Sequence, residues 1–218
     1  MLKKIISSIL AAGLAIALSA CARNNFNSAI SQLRTDILSG SADGCEFILY
    51  AEEREIPLSA DGIPLEKSPV IILKATALSA FSGTYSVFIA FDGKEYSSLP
   101  EFRADNVLRA VIPVEKLPRG DVSVRLEGDK NYSADLSSVL PDGVCEYTAA
   151  VKTALGHLAD KVTYSGGRLE GEILARVLFE NGNAYWYVGY VSGKNLYSVL
   201  VAGDGKTVVA SRDGETQS

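Results

Sequence analysis

The chain has 218 residues, 47% of them hydrophobic, with 21 basic against 26 acidic side chains, a formal charge of −5, three cysteines and a single histidine. This length supplies one large or two small domains with real cores. The acidic balance, without a basic stripe, argues against nucleic acid as a partner, and one histidine with no Cys-x-x-Cys spacing argues against a zinc site or any other metal centre.

The amino terminus begins with Lys3 and Lys4 and continues through an apolar stretch, Ile5 to Ala20, broken only by Ser7, Ser8, Gly13 and Ser19. A spanning helix requires about 20 apolar residues, so the stretch is short for one, and charge followed by an apolar run and small residues predicts a signal peptide over 1–20. Leu18-Ser19-Ala20-Cys21 resembles the bacterial lipobox. The resemblance implies cleavage before Cys21, a diacylglycerol thioether on that sulfur, and an extracytoplasmic protein lipid-anchored to the outer face of the cell membrane. Two acyl chains, at about 0.8 kcal/mol per buried CH₂, make a stable anchor. Cleavage also removes Lys3 and Lys4 and takes the formal charge from −5 to −7.

Cys45 and Cys145 then lie in a compartment where disulfides persist. A bridge between them would close a loop of about 100 residues, worth up to about 4.7 kcal/mol in the chain-entropy model. The alternative is a pair of buried free thiols.

Residues 22–25 read as a short polar tether. Phe26, Ile30, Leu33 and Ile37 recur at helical spacing with Gly40 as a stop signal, which predicts an amphipathic helix over Phe26–Ser39; tether and helix together occupy 21–43. From Cys45 the period changes to that of strands, expected at Glu46–Glu53, Val70–Ala77, Tyr85–Phe91, Val107–Val114, Val122–Leu126 and Tyr132–Leu136. Alternation such as Tyr85, Val87, Ile89, Phe91, with Asp92-Gly93 as a tight turn, predicts an antiparallel β-sandwich of immunoglobulin-like architecture over 44–141. Glu52, Glu53 and Glu55 around Arg54 read as a solvated strand end.

Pro141-Asp142-Gly143 marks a boundary, after which the second unit, 142–218, is predicted as a helix from Val144 to Lys161 packed on a β-meander. Its strands are expected at Glu172–Glu180, Ala184–Val191, Leu196–Val201 and Thr207–Ser211, joined by Asn181-Gly182, Ser192-Gly193 and Asp204-Gly205. The overall class is therefore α+β. A helix followed by a meander, with Tyr185-Trp186-Tyr187-Val188-Gly189 in one strand and Leu200 to Val208 closing it, resembles the PepSY and cystatin-like group of exported modules. The resemblance implies a non-catalytic domain, of a kind that in some members inhibits or chaperones peptidases. Here Asp204-Gly205-Lys206 lacks the threonine of that group's closing strand.

His157 is placed on the water-facing side of its helix, and no Gly-x-Ser-x-Gly elbow occurs, so no catalytic residue and no cofactor are assigned. The feature above background is aromatic: Tyr185 and Tyr187 point to one side of their strand, Trp186 and Tyr190 to the other, with Tyr197 on the next strand. Because a helix covers only one face of a sheet, one aromatic set is expected on the open face as a binding patch. The expected partners are the membrane lipid through Cys21 and an envelope protein or peptide; a glycan-binding accessory lipoprotein, with the same rings stacking on sugars, is the alternative.

Overall fold

The computed structural model describes residues 26–104 and 106–216; the leader 1–20, Cys21 and the tether 22–25 lie outside the described residues. After a 3-10 turn at Asn27–Ala29, the chain forms β1 (Ile30–Ala42), β2 (Cys45–Arg54), β3 (Ser68–Ala77), β4 (Ser86–Phe91), β5 (Lys94–Ser98), β6 (Glu101–Ala104), β7 (Val107–Pro113), β8 (Val122–Glu127) and β9 (Tyr132–Ser138). A helix, α1 (Tyr147–His157), follows, then a small hairpin of β10 (Tyr164–Ser165) and β11 (Arg168–Leu169), and a meander of β12 (Glu172–Glu180), β13 (Asn183–Ser192), β14 (Asn195–Ala202) and β15 (Val208–Glu215). The main path of the sheet runs β15-β14-β13-β12-β1-β2-β3-β7-β6, and β9 leaves β1 to carry β8, β4 and β5. The result is a curled, mostly antiparallel sheet with one helix among the described residues; the pairing of β1 with β12 is parallel.

The predicted helix over Phe26–Ser39 is not formed: beyond the 3-10 turn that segment is β1. Backbone pairing on both edges overrides the helical spacing. One edge of β1 pairs with β2 along its length, and the other pairs first with β12 through Gln32–Arg34 and then with β9 through Leu38 and Ser39. Register shifts between Ile30 and Gln32 and between Arg34 and Asp36 each invert the alternation of a strand, so a period of two is disguised as one of three to four. Gly40, read as a helix stop, sits inside β1, where a Cβ would collide with the backbone of Asp135.

Two apolar cores flank this strand. The first is lined by Phe47, Leu49, Ile71, Leu73 and Leu108 from β2, β3 and β7, and by Val87, Ile89, Val124, Leu126 and Leu136 from β4, β8 and β9. The second lies under α1, where Ala150, Val151, Ala154, Leu155 and Leu158 meet Ile173, Ala175, Val177, Trp186, Val188, Tyr190, Val199 and Val201. β1 serves both, giving Leu38 to the first and Ile30 and Leu33 to the second.

Helix α1 is held to the meander at its start as well as along its face. Cys145 N donates to Gly203 O at 2.8 Å, Trp186 Nε1 donates to Cys145 O at 3.2 Å, and Thr153 Oγ1 donates to Gly205 O at 2.6 Å. Gly205 has φ +71°, and a Cβ there would strike the Cys145 sulfur, so both conformation and space require glycine. Trp186 therefore belongs to the core, at 3% exposure, while Tyr185, half-buried, faces the other way. Trp186→Ala is expected to cost about 3–5 kcal/mol of unfolding free energy and Tyr185→Ala no more than about 1 kcal/mol. Urea unfolding of both variants checks this, and equal losses would contradict the facing described.

Candidate functional site

The register of the sheet places two ladders side by side on the face turned away from α1. One crosses Ala210, Leu200, Tyr187, Arg176, Arg34, Glu52 and Val70; the next crosses Arg212, Ser198, Gly189, Leu174, Gln32, Arg54 and Ser68. Successive same-face residues lie about 7 Å apart along a strand, so the two ladders are within reach of each other's side chains. Three guanidiniums, Arg34, Arg54 and Arg176, thus meet around one carboxylate, Glu52.

Glu52 is fully buried, and both its oxygens are engaged: Oε1 accepts from Arg34 Nε at 2.7 Å and from its terminal nitrogen at 2.5 Å, and Oε2 accepts from Gln32 Nε2 at 2.8 Å. Arg34 is further fixed by the ring of Tyr50, 4.0 Å below its Cζ, a cation–π contact. Arg176 lies 5.1 Å over the ring of Tyr187, and the Tyr187 hydroxyl reaches Ser198 Oγ at 3.0 Å across Gly189, where a Cβ would stand 3.1 Å from that hydroxyl. The Nε atoms of Arg54 and Arg176 are shut off from solvent and have no hydrogen-bond partner among the described residues. Burial pulls both guanidiniums below their ordinary values, and neighbouring arginines act in the same direction: Arg109 and Arg34 on Arg54, Arg34 and Arg54 on Arg176.

Loop 55–67 crosses one end of this face. Gly62 N donates to Glu172 Oε2 at 3.0 Å, Ser31 Oγ donates to Glu172 Oε1, and Leu65 N donates to Glu55 Oε1. Burial raises the Glu172 carboxyl, opposed by the hydrogen bonds from Ser31 and Gly62 and reinforced by the charges of Glu55 and Asp61. The loop leaves Ile63 and Leu65 exposed beside the end of the face.

The aromatic residues singled out in the sequence are divided by the sheet. Tyr185 and Tyr187 stand half-buried on the open face, whereas Trp186 and Tyr190 are in the core under α1, so those two cannot form a surface patch. Tyr190 instead donates to Glu170 O at 2.7 Å and stacks with Tyr197, centroids 6.2 Å apart, on the helix side. Glu52 and Glu55, expected on a solvated strand end, are buried; the pairing of β2 with β1 carries Glu52 inward. Cys45 and Cys145 are free thiols, placed in the first core and against the second, so of the two alternatives the structure holds unbridged thiols. Burial pushes the Cys45 thiol up to about 11, which leaves it a packing group. His157 is exposed, its Nε2 3.2 Å from Ser211 Oγ.

Arg34 and Arg176 were missed by sequence reasoning. Their available signal was a single charge inside an apolar strand, Ala175-Arg176-Val177 within β12. Beyond Tyr187 the face continues into a depression of about 620 Å³ lined by Leu196, Ser198, Leu200 and Arg212. Compared with known proteins, the chain matches no family model, no curated protein and no solved structure. Among the described residues, no helix is long and apolar enough to cross a membrane.

The raised Glu172 carboxyl has a defined pH signature. The folded state holds this proton more tightly than the unfolded chain, so the group's contribution to stability is complete below about 4.5 and falls as pH rises through its folded-state value. The stability difference between the wild type and Glu172→Gln, measured by urea unfolding across pH 4 to 8, is expected to decline with rising pH. A difference that grows with pH would reverse the assignment.

Proposed function

We propose that the chain is an extracytoplasmic lipoprotein, anchored to the membrane through acylated Cys21, whose α+β body is a non-catalytic module that binds a protein or peptide. The observation that carries the binding role is the face opposite α1, where Tyr185, Tyr187 and three guanidiniums are presented by packed strands rather than by loops. Rigid aromatic and arginine side chains supply contact area and directed hydrogen bonds at low entropic cost. The anchoring role is supported by the order of charge, apolar run, small residues and cysteine over residues 3–21.

The non-catalytic reading is supported by the chemistry of the face. Glu52 has both oxygens committed to Arg34 and Gln32, and no nucleophile on the ladders is hydrogen-bonded to a base. We further read the first core as an immunoglobulin-like β-sandwich, since strands β2, β3 and β7 face β4, β8 and β9 across it. The helix laid on a four-stranded meander supports the comparison of the second half with PepSY and cystatin-like modules. A glycan-binding role is favoured only by the tyrosine rings, and the concentration of guanidiniums beside them favours a peptide.

A photo-crosslinking residue at position 187 in intact cells is expected to yield adducts containing peptide, and the same residue at Lys152 on the exposed side of α1 none. Adducts at both positions in equal yield, or retardation of the protein by neutral polysaccharide, would oppose the peptide reading. Cys21→Ser is expected to release the protein from membranes, and mass spectrometry of the wild type to show acyl chains on that residue.

A further inference from the structure

The open face carries a charge imbalance that the chain itself does not resolve. In a protein of formal charge −5, Arg34, Arg54 and Arg176 converge on the single carboxylate of Glu52, and that carboxylate is taken by Arg34 and Gln32. Of the neighbouring acids, Glu53 pairs with Leu33 on the opposite face, and Glu55 accepts from Leu65 N through Oε1, its Oε2 being buried without a partner among the described residues. Buried donors nearly always find acceptors, yet the Nε atoms of both Arg54 and Arg176 lack one among the described residues. Both donors belong to cations that share one carboxylate already engaged elsewhere, so the face carries more positive charge than its own acids pair with.

The geometry points to a carboxylate-binding trough, in which Arg54 and Arg176 receive side-chain carboxylates of an extended acidic peptide laid across the strands. This rests on reading the face as a binding surface and adds the chemical class of what it binds. A guanidinium offers a planar fork that matches a carboxylate with two parallel hydrogen bonds; with each Nε shut off from solvent, the two terminal nitrogens form that fork, and the Arg176 Cζ lies 5.1 Å from the centre of the Tyr187 ring. The surroundings select a peptide over a free inorganic anion. The Tyr187 ring stands beside Arg176, and Ile63 and Leu65 are exposed on the loop at the end of the face. From β2 to β15 the face spans five strand spacings, roughly 24 Å at about 4.8 Å each, the length of about seven extended residues. At its far side Arg212, exposed on β15, lies three strands from Arg176, placed for a third carboxylate.

The test uses the full chain in neutral detergent micelles and a fluorescent nonapeptide of alternating glutamate and alanine, with its glutamine counterpart. Anisotropy is expected to show the glutamate peptide bound at least about ten-fold more tightly than the glutamine one, and Arg54→Gln and Arg176→Gln each to weaken it by at least about ten-fold. Arg119→Gln, on an exposed loop, is expected to leave binding unchanged. Arg176→Lys keeps the charge, loses the fork, and is expected to bind more weakly than wild type. Because each of these arginines buries an Nε without an acceptor among the described residues and stands beside other arginines, both glutamine variants are expected to melt at or above the wild-type temperature, which separates lost binding from lost folding.

Equal binding of the two peptides, unaffected by Arg176→Gln, would overturn the carboxylate assignment while leaving a peptide-binding face. Displacement of the peptide by inorganic phosphate at equal concentration would overturn it in favour of a simple oxyanion site. If neither peptide binds but position 187 still crosslinks to peptide in cells, the acidic ligand fails alone; if both measurements are negative, the binding face fails with it.

Discussion

The pairing of β1 on both its edges is the constraint on which the rest of this structure depends. This strand pairs with β2 from Gln32 to Ala42, interrupted at Thr35, and on its other edge with β12 through Ile30 and Gln32–Arg34 and then with β9 through Leu38 and Ser39. An unpaired buried amide or carbonyl costs about as much as a lost hydrogen bond, so a strand bonded on both edges is fixed in place far more firmly than by its side chains alone. Beyond Arg34 the edge away from β2 changes partner from β12 to β9, and the sheet branches there into a part under α1 and a part that curls around the first core.

The same strand assembles the site. Arg34 reaches Glu52 because β1 pairs antiparallel with β2, and it lies beside Arg176 because β1 pairs parallel with β12. Without that junction, Arg54 and Arg176 would belong to separate parts of the molecule. The charges concentrate on the one broad face that neither α1 nor the strands β4, β5, β8 and β9 cover. Three cations around one buried carboxylate is an arrangement that repels itself, and an arrangement of this kind is commonly kept at functional positions at the expense of stability.

What was legible in the sequence followed from which elements have one buried face. Tyr85, Val87, Ile89 and Phe91 alternate because the core lies on one side of β4, and the bounds of β12 were readable from its apolar run flanked by glycine turns. The helix was placed correctly from Val151, Leu155 and Leu158 but overextended, since the backbone of Cys145 is already committed to Gly203. By contrast β1, bonded on both edges and bulged twice, imitated a helix, and β5 and β6 are polar edge strands without alternation. The aromatic alternation along β13 was read correctly, but sequence did not say which side the helix would cover. The arginine cluster was invisible for a different reason: Arg34 and Arg54 come from one hairpin, but Arg176 comes from β12, remote in sequence, so no local spacing records the cluster.

The most direct measurement is an NMR map of backbone contacts in isotopically labelled full-length protein. Extended-strand chemical shifts are expected from Ile30 to Ala42, with cross-strand contacts from Arg34 to both Arg176 and Glu52. Helical shifts across Phe26–Ser39, or contacts of Arg34 to β2 alone, would contradict this pairing.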